Sequence, residues 1–210
     1  MISFAISRCV VLATLALATP ARAEQAFPFL QPEAVRSAYL QARGDWQETP
    51  DRVRQVFLAA EDRMFFDRPP IRSTITASLT YWYPEPGGRR SFAVSAAIAK
   101  ALSRDEILDW FVHGIFLGQG CFGVDGAAAA YFGKQTSELA LHEAALLAAL
   151  VPAPAPFHPL RSPDRALERR NHILQEAAEA GFISAQEADA AKARPLSVRE
   201  PLGTCAPQTE

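Results

Sequence analysis

Residues 59–76 read AAEDRMFFDRPPIRSTIT. They close an apolar-periodic run in which Val53, Val56, Phe57, Ala60 and Met64 recur at helical spacing, so residues 51–66 are expected to form an amphipathic helix. Thr49-Pro50 suits its N-cap and first turn, and Asp67-Arg68-Pro69-Pro70 stops it. Glu61 falls off the apolar stripe, close in sequence to Phe65 and Phe66. A carboxylic acid held beside rings and poorly hydrated has its pKa raised, as a general acid or base needs. Against that stands the plainer reading, in which a Glu-Asp pair late in a helix is a solvated face.

Working outward, the pattern stays helical. Residues 32–43 form a short periodic run ended by Gly44, and residues 91–101 are Ala-rich and periodic. Ser103-x-x-Glu106 is a capping box opening a helix to about His113. Gly114, Gly118, Gly120 and Gly123 make a glycine-rich bend; residues 125–131 resume as helix, with Gly133 suited to a left-handed end. Residues 141–150 are apolar nearly all round, which marks a buried central helix. Pro152, Pro154 and Pro156 end it, Ser162-Pro163 opens a helix to Gly181, and Ser184-x-x-Glu187 boxes a last one to about Arg194. Tyr81-Trp82-Tyr83-Pro84-Glu85-Pro86-Gly87-Gly88 reads as a loop. No stretch alternates as a strand does, so one all-α domain is expected.

The first residues read as a leader. Arg8 is a short basic region, residues 9–18 are apolar, and Ala21-Arg22-Ala23 is an A-x-A cleavage site, so residues 1–23 are expected to be a signal peptide. The alternative is an uncleaved anchor in the inner membrane. Cleavage implies a periplasmic protein with a lead-in over 24–49, a domain over 50–196 and an irregular tail over 197–210. The chain has 21 basic and 23 acidic residues; two arginines leave with the leader, so the mature chain is the more acidic. That argues against nucleic acid as a partner and keeps any membrane contact peripheral. Cys9 also leaves, and Cys121 and Cys205 remain as a candidate disulfide for an oxidising compartment. His113, His142, His158 and His172 fall on different predicted elements, so neither a metal site nor a cofactor is expected.

Glu61-Asp62-Arg63-x-Phe65-Phe66 and Ser73-Thr74-Ile75-Thr76 resemble the first two motifs of the family 51 glycosyltransferases, the peptidoglycan polymerases of penicillin-binding proteins. The resemblance continues in order through residues 102–108, Phe116-Leu117-Gly118-Gln119-Gly120-Cys121-Phe122-Gly123-Val124, Ala127-Ala128-Ala129-Ala130-Tyr131-Phe132-Gly133-Lys134, Glu143-Ala144-Ala145-Leu146-Leu147 and Arg169-Arg170-Asn171. It implies a lysozyme-like all-α fold, with lipid II or peptidoglycan glycan strands as substrate and Glu61 as the catalytic base. It also implies substrate contacts from Asp62, Arg63, Phe65, Arg68, Arg72, Ser73, Thr74, Thr76, Arg89 and Arg90. Glu143, alone on an apolar helix, is expected to be buried, paired and fold-holding.

The sequence also departs from the family. The second catalytic glutamate belongs to an Arg-Lys-x-x-Glu motif, and counting back from Ser103 places it at Ser91, whereas matching Arg89-Arg90 to the Arg-Lys pair places it at Ala93. Glu85, in a Pro-Gly loop, is the nearby acid. Arg68 and Pro70 stand where the first motif has His and Gly, Ala77 and Ser78 where the second has glutamines, and the segment that builds the jaw lobe is much reduced. The arginines either cluster near Glu61 to hold phosphate or simply solvate the surface; Tyr81, Trp82 and Tyr83 either stack on sugars or pack. Three functions follow: a polymerase with impaired or lost catalysis, a non-catalytic binder of glycan, lipid II or a cell-wall synthase partner, or lytic cleavage using one glutamate. No Ser-x-x-Lys motif occurs, so transpeptidation is not expected.

Overall fold

The computed structural model describes residues 31–44, 46–80 and 92–205. Among these, the helices are α1 (Pro32–Arg43), α2 (Asp51–Glu61), α3 (Thr74–Leu79), α4 (Phe92–Ala101), α5 (Arg104–Gly114), α6 (Gly123–Phe132), α7 (Leu141–Ala149), α8 (Pro163–Glu179) and α9 (Ala185–Lys192). An antiparallel bridge between Phe116 and Phe122 closes the glycine bend. At Gly123, φ is +78° and a Cβ would come within 2.1 Å of the His113 carbonyl oxygen, so the close approach of bend and helix requires glycine. Gly133 ends α6 at φ +68°, and the boxes at Ser103–Glu106 and Ser184–Glu187 both close. Ser162, by contrast, gives α8 no side-chain cap.

α7 sits at the centre, packed against α2 and α8, with residues 143–149 buried. Glu143 takes Lys134 Nζ at 2.7 and 2.9 Å and the Ala140 N–H at 2.8 Å, so its buried charge is both paired and hydrogen-bonded. Arg170 is fully buried on α8, and donates to the Lys192 and Arg194 carbonyls that α9 leaves unbonded.

α2 departs from its expected length. It stops at Glu61 rather than at Phe66, because the Asp62 carboxylate accepts the Met64 N–H two residues on and offers the backbone a turn in place of a further helical bond. Met64 consequently swings out to 53% exposure while Phe65 goes fully into the core. Thr49 does not cap α2 either; its Oγ1 lies 2.8 Å from His113 Nε2.

That contact belongs to a clamp on the lead-in. Trp46 stacks on the His113 ring at 4.7 Å, and His113 Nδ1 lies 3.0 Å from Asp125 Oδ2, close enough for charge pairing but not aligned as a hydrogen bond. With Val35 and Tyr39 of α1 also buried, the described part of the lead-in contributes to the core. The tail joins it too. Arg199 and Gly203 donate to the carbonyls of Tyr131 and Ala130, and Cys205 is bonded to Cys121.

Two outcomes are expected. Glu143→Ala should lower unfolding free energy by about 2 kcal/mol in urea titration, since it removes a helix cap and a partly exposed ion pair together. Burial works to raise the Asp125 pKa, but the contacts with His113 and Thr136 outweigh it and leave the group below its ordinary 3.8. A depressed folded pKa means stability that is present above pH 3.8 and lost as pH falls through the folded value. Asp125→Asn should therefore flatten the acid limb of the stability–pH curve.

Candidate active site

Glu61 is the last residue of α2 and is half-buried. Its carbonyl accepts Thr74 Oγ1 at 2.7 Å, which ties the start of α3 to the end of α2. Asp62 is a support rather than a surface ligand: its side chain is 1% exposed and its Oδ1 takes Arg68 Nη2 as well as Met64 N–H, while Oδ2 is buried without a partner among the described residues. The carbonyl of Arg68 in turn accepts Arg104 Nη2 of α5 at 2.9 Å. A carboxylate taken out of water has to be paired and hydrogen-bonded to be tolerated, and Arg68 does that here.

The other expected contacts divide in the same way. Arg63 turns away to pair with Glu176 of α8 at 2.6 Å. Phe65 is core, with the more exposed Phe66 edge-on to it at 5.1 Å. Ser73 is buried and caps α3 by accepting Ile75 N–H at 3.1 Å. Thr76 is fully buried, its hydroxyl unpartnered among the described residues. Arg68, at 40% side-chain exposure, and the exposed Arg72 remain as cations toward solvent on either side of Pro69-Pro70. Ser91, Arg89, Arg90, Glu85 and the Tyr81-Trp82-Tyr83 trio lie outside the described residues. Ala93 is exposed near the start of α4.

A cavity of about 660 Å³ opens at the other end of α2, lined by residues that include Arg43, Trp46, Thr49, Arg54, Asp109 and His113. Arg54 pairs with both Asp105 and Asp109. Burial pushes Asp109 above the usual carboxylate range, although the Arg54 charge opposes it. No spacing pattern announces this cavity, whose walls come from residues more than 50 positions apart. Among the described residues no group of side chains could hold a metal ion, and no helix is long and apolar enough to cross a membrane.

The transglycosylase family model matches residues 89–178. Penicillin-binding protein 1A of Escherichia coli is 32% identical over 169 residues, which cover 68% of this chain and 20% of that protein. A putative transglycosylase of Cupriavidus necator is 45% identical over 106 residues, 50% of this chain and 46% of that one, and penicillin-binding protein 1A of Aquifex aeolicus is 43% identical over 103 residues, 49% and 14%. This chain thus spans less than half the length of each. The crystal structure of penicillin-binding protein 1A from Haemophilus influenzae superposes with a TM-score of 0.51 at 31% identity, over 72% of this chain and 17% of that one. By sequence and by its lysozyme-like all-α fold, the chain belongs to the glycosyltransferase family 51 transglycosylases.

Proposed function

We propose that this chain is a peptidoglycan glycosyltransferase-like protein that engages lipid II or glycan strands, with polymerisation impaired or lost. The observation that carries the reading is the state of Asp62. Polymerisation in the family uses two carboxylates, and the sequence offers Ser91 or Ala93 at the second position. Asp62, the acid next to Glu61, does not replace it, because its side chain is 1% exposed and committed to Arg68. Glu61 is assigned as the base by its motif alone, but a group that assists the leaving pyrophosphate is worth on the order of 100-fold or more in rate.

Binding fares better than chemistry. Arg72 is an exposed cation and Arg68 a half-buried one that also answers Asp62, and guanidinium groups are suited to bidentate contacts with phosphate oxygens. That favours retention of a pyrophosphate-bearing ligand without turnover. The expected setting is periplasmic, with residues 1–23 as the leader or, alternatively, as an inner-membrane anchor.

Purified full chain incubated with lipid II, beside a competent homologue, should form glycan polymer about 100-fold more slowly or not at all, and Glu61→Gln should abolish any residue of it. In pull-down of lipid II, Arg68→Gln with Arg72→Gln should cut retention about tenfold, whereas Glu61→Gln should leave it intact. Polymerisation at the homologue's rate would overturn the proposal, as would lipid II retention indifferent to both arginines.

A further inference from the structure

In the clamp on the lead-in, His113 bridges a hydroxyl and a carboxylate. Thr49 Oγ1 lies 2.8 Å from His113 Nε2, and His113 Nδ1 lies 3.0 Å from Asp125 Oδ2. The three residues come from the segment before α2, the last turn of α5 and the first turn of α6. Thr49 and His113 line the cavity of about 660 Å³, and Asp125 is not among its walls. Asp51 and Glu61 bound α2, so this cavity is about 15 Å along the helix from Glu61.

The partners assign the protons. A carboxylate oxygen only accepts, so in the neutral ring the proton sits on Nδ1 and the lone pair on Nε2 faces the Thr49 hydroxyl. Thr49 O–H then donates to Nε2, the arrangement in which a base takes the proton of a nucleophile. The ring is held in place: its side chain is 2% exposed, and Trp46 stacks on it within 5° of parallel. Asp125 is held as firmly, since its Oδ1 accepts Thr136 Oγ1 and its Oδ2 the Gln47 N–H at 3.3 Å. Although burial works the other way, the contacts with His113 and Thr136 keep the Asp125 carboxyl below its ordinary range, hence ionised at pH 7. Its alignment on Nδ1 is loose, as catalytic hydrogen bonds commonly are without substrate.

The start of α2 supplies what a hydroxyl nucleophile also needs. The N–H groups of Asp51 and Arg52, first in the helix, have no carbonyl within it to take them. They point back along the axis toward the segment that carries Thr49, at the positive end of the helix dipole. An oxygen that gains charge there meets donors already in place. Trp46 is the large apolar side chain among the cavity's described walls, which are otherwise polar or charged. They offer no slot for a long hydrocarbon chain.

We infer that Thr49, His113 and Asp125 form an acyl-transfer site that hydrolyses short-chain acyl esters of polar alcohols. Thr49 Oγ1 attacks the ester carbonyl carbon and gives its proton to His113 Nε2. The bond from that carbon to the alcohol oxygen breaks, and Nε2 passes the proton to the departing oxygen. Water then attacks the acyl-threonine, gives a proton to Nε2 and releases the carboxylic acid, while Thr49 takes the proton back. Thr49 and His113 are the catalytic residues; Asp125 is a positioning residue that fixes the tautomer and favours the ring's charge. The inference stands apart from Glu61 and from polymerisation.

Incubation of the full chain with 4-nitrophenyl acetate, quenched in acid and read by peptide mass spectrometry, tests it. An acetyl group on the peptide carrying Thr49 is expected, formed as nitrophenolate is released and lost again on standing in buffer. Thr49→Val should abolish the adduct, Thr49→Ser should keep it at that position, and His113→Gln should slow it about 100-fold or more. Asp125→Asn should slow it too and move the rise of its rate with pH to lower pH. The carboxylate that favours the charged ring is then gone, while Asp109, one turn earlier on α5, stays. 4-Nitrophenyl octanoate should react about tenfold or more slowly than the acetate. No adduct on Thr49, an unchanged rate in His113→Gln, an unmoved pH profile in Asp125→Asn, or octanoate as fast as acetate would each overturn the inference. The adduct on the unsubstituted protein decides the matter even if a variant fails to fold.

Discussion

The buried carboxylate of Asp62 fixes the frame of the candidate site. By drawing in both the Met64 N–H and the Arg68 guanidinium it ends α2 at Glu61, shapes the turn over 62–68 and places Arg68 where its carbonyl takes Arg104 of α5. Thr74 then locks the Glu61 carbonyl from the far side. An ionised group taken out of water without such partners would cost several kcal/mol, so the turn and the pairing stand or fall together. Glu61 is at the end of α2 because Asp62 is not available to continue it.

The same solution recurs through the domain. Glu143 is buried on the central helix because Lys134 and the Ala140 N–H reach it. Arg170 is buried because the end of α9 supplies carbonyls rather than an acid. In each case a charge left inside the core is answered by a cap, an ion pair or both, and the answered charge fastens one helix to another. Together they hold a rigid framework around α7. The cavity at the start of α2 opens at its edge, walled by α1, α2, α5 and residues 46–49.

Much of this was legible in the sequence, for physical reasons that can be named. The capping boxes at Ser103 and Ser184, the left-handed end at Gly133 and the buried pairing of Glu143 are local or nearly local, and residue type with spacing decides them. The end of α2 is not legible in the sequence because Met64 continues the helical period, whereas the competing Asp62 turn leaves no mark in hydrophobic spacing. Arg63 is a neighbour of Arg68 and Arg72 in the chain, but its partner is Glu176, more than a hundred residues on. Thr49, His113 and Asp125 meet only in three dimensions, as do Gln119 and His158. Long-range pairings of that kind are invisible to periodicity.

The central claim is that Asp62 and Arg68 serve the fold first and the ligand only through what Arg68 leaves exposed. A thermodynamic double-mutant cycle on the ligand-free protein, with Asp62→Asn, Arg68→Gln and the pair, measures this most directly. The account predicts a coupling of about 1–3 kcal/mol in unfolding free energy, with the double variant less destabilised than the sum of the singles. Additive single effects, with no coupling between the two residues, would contradict it.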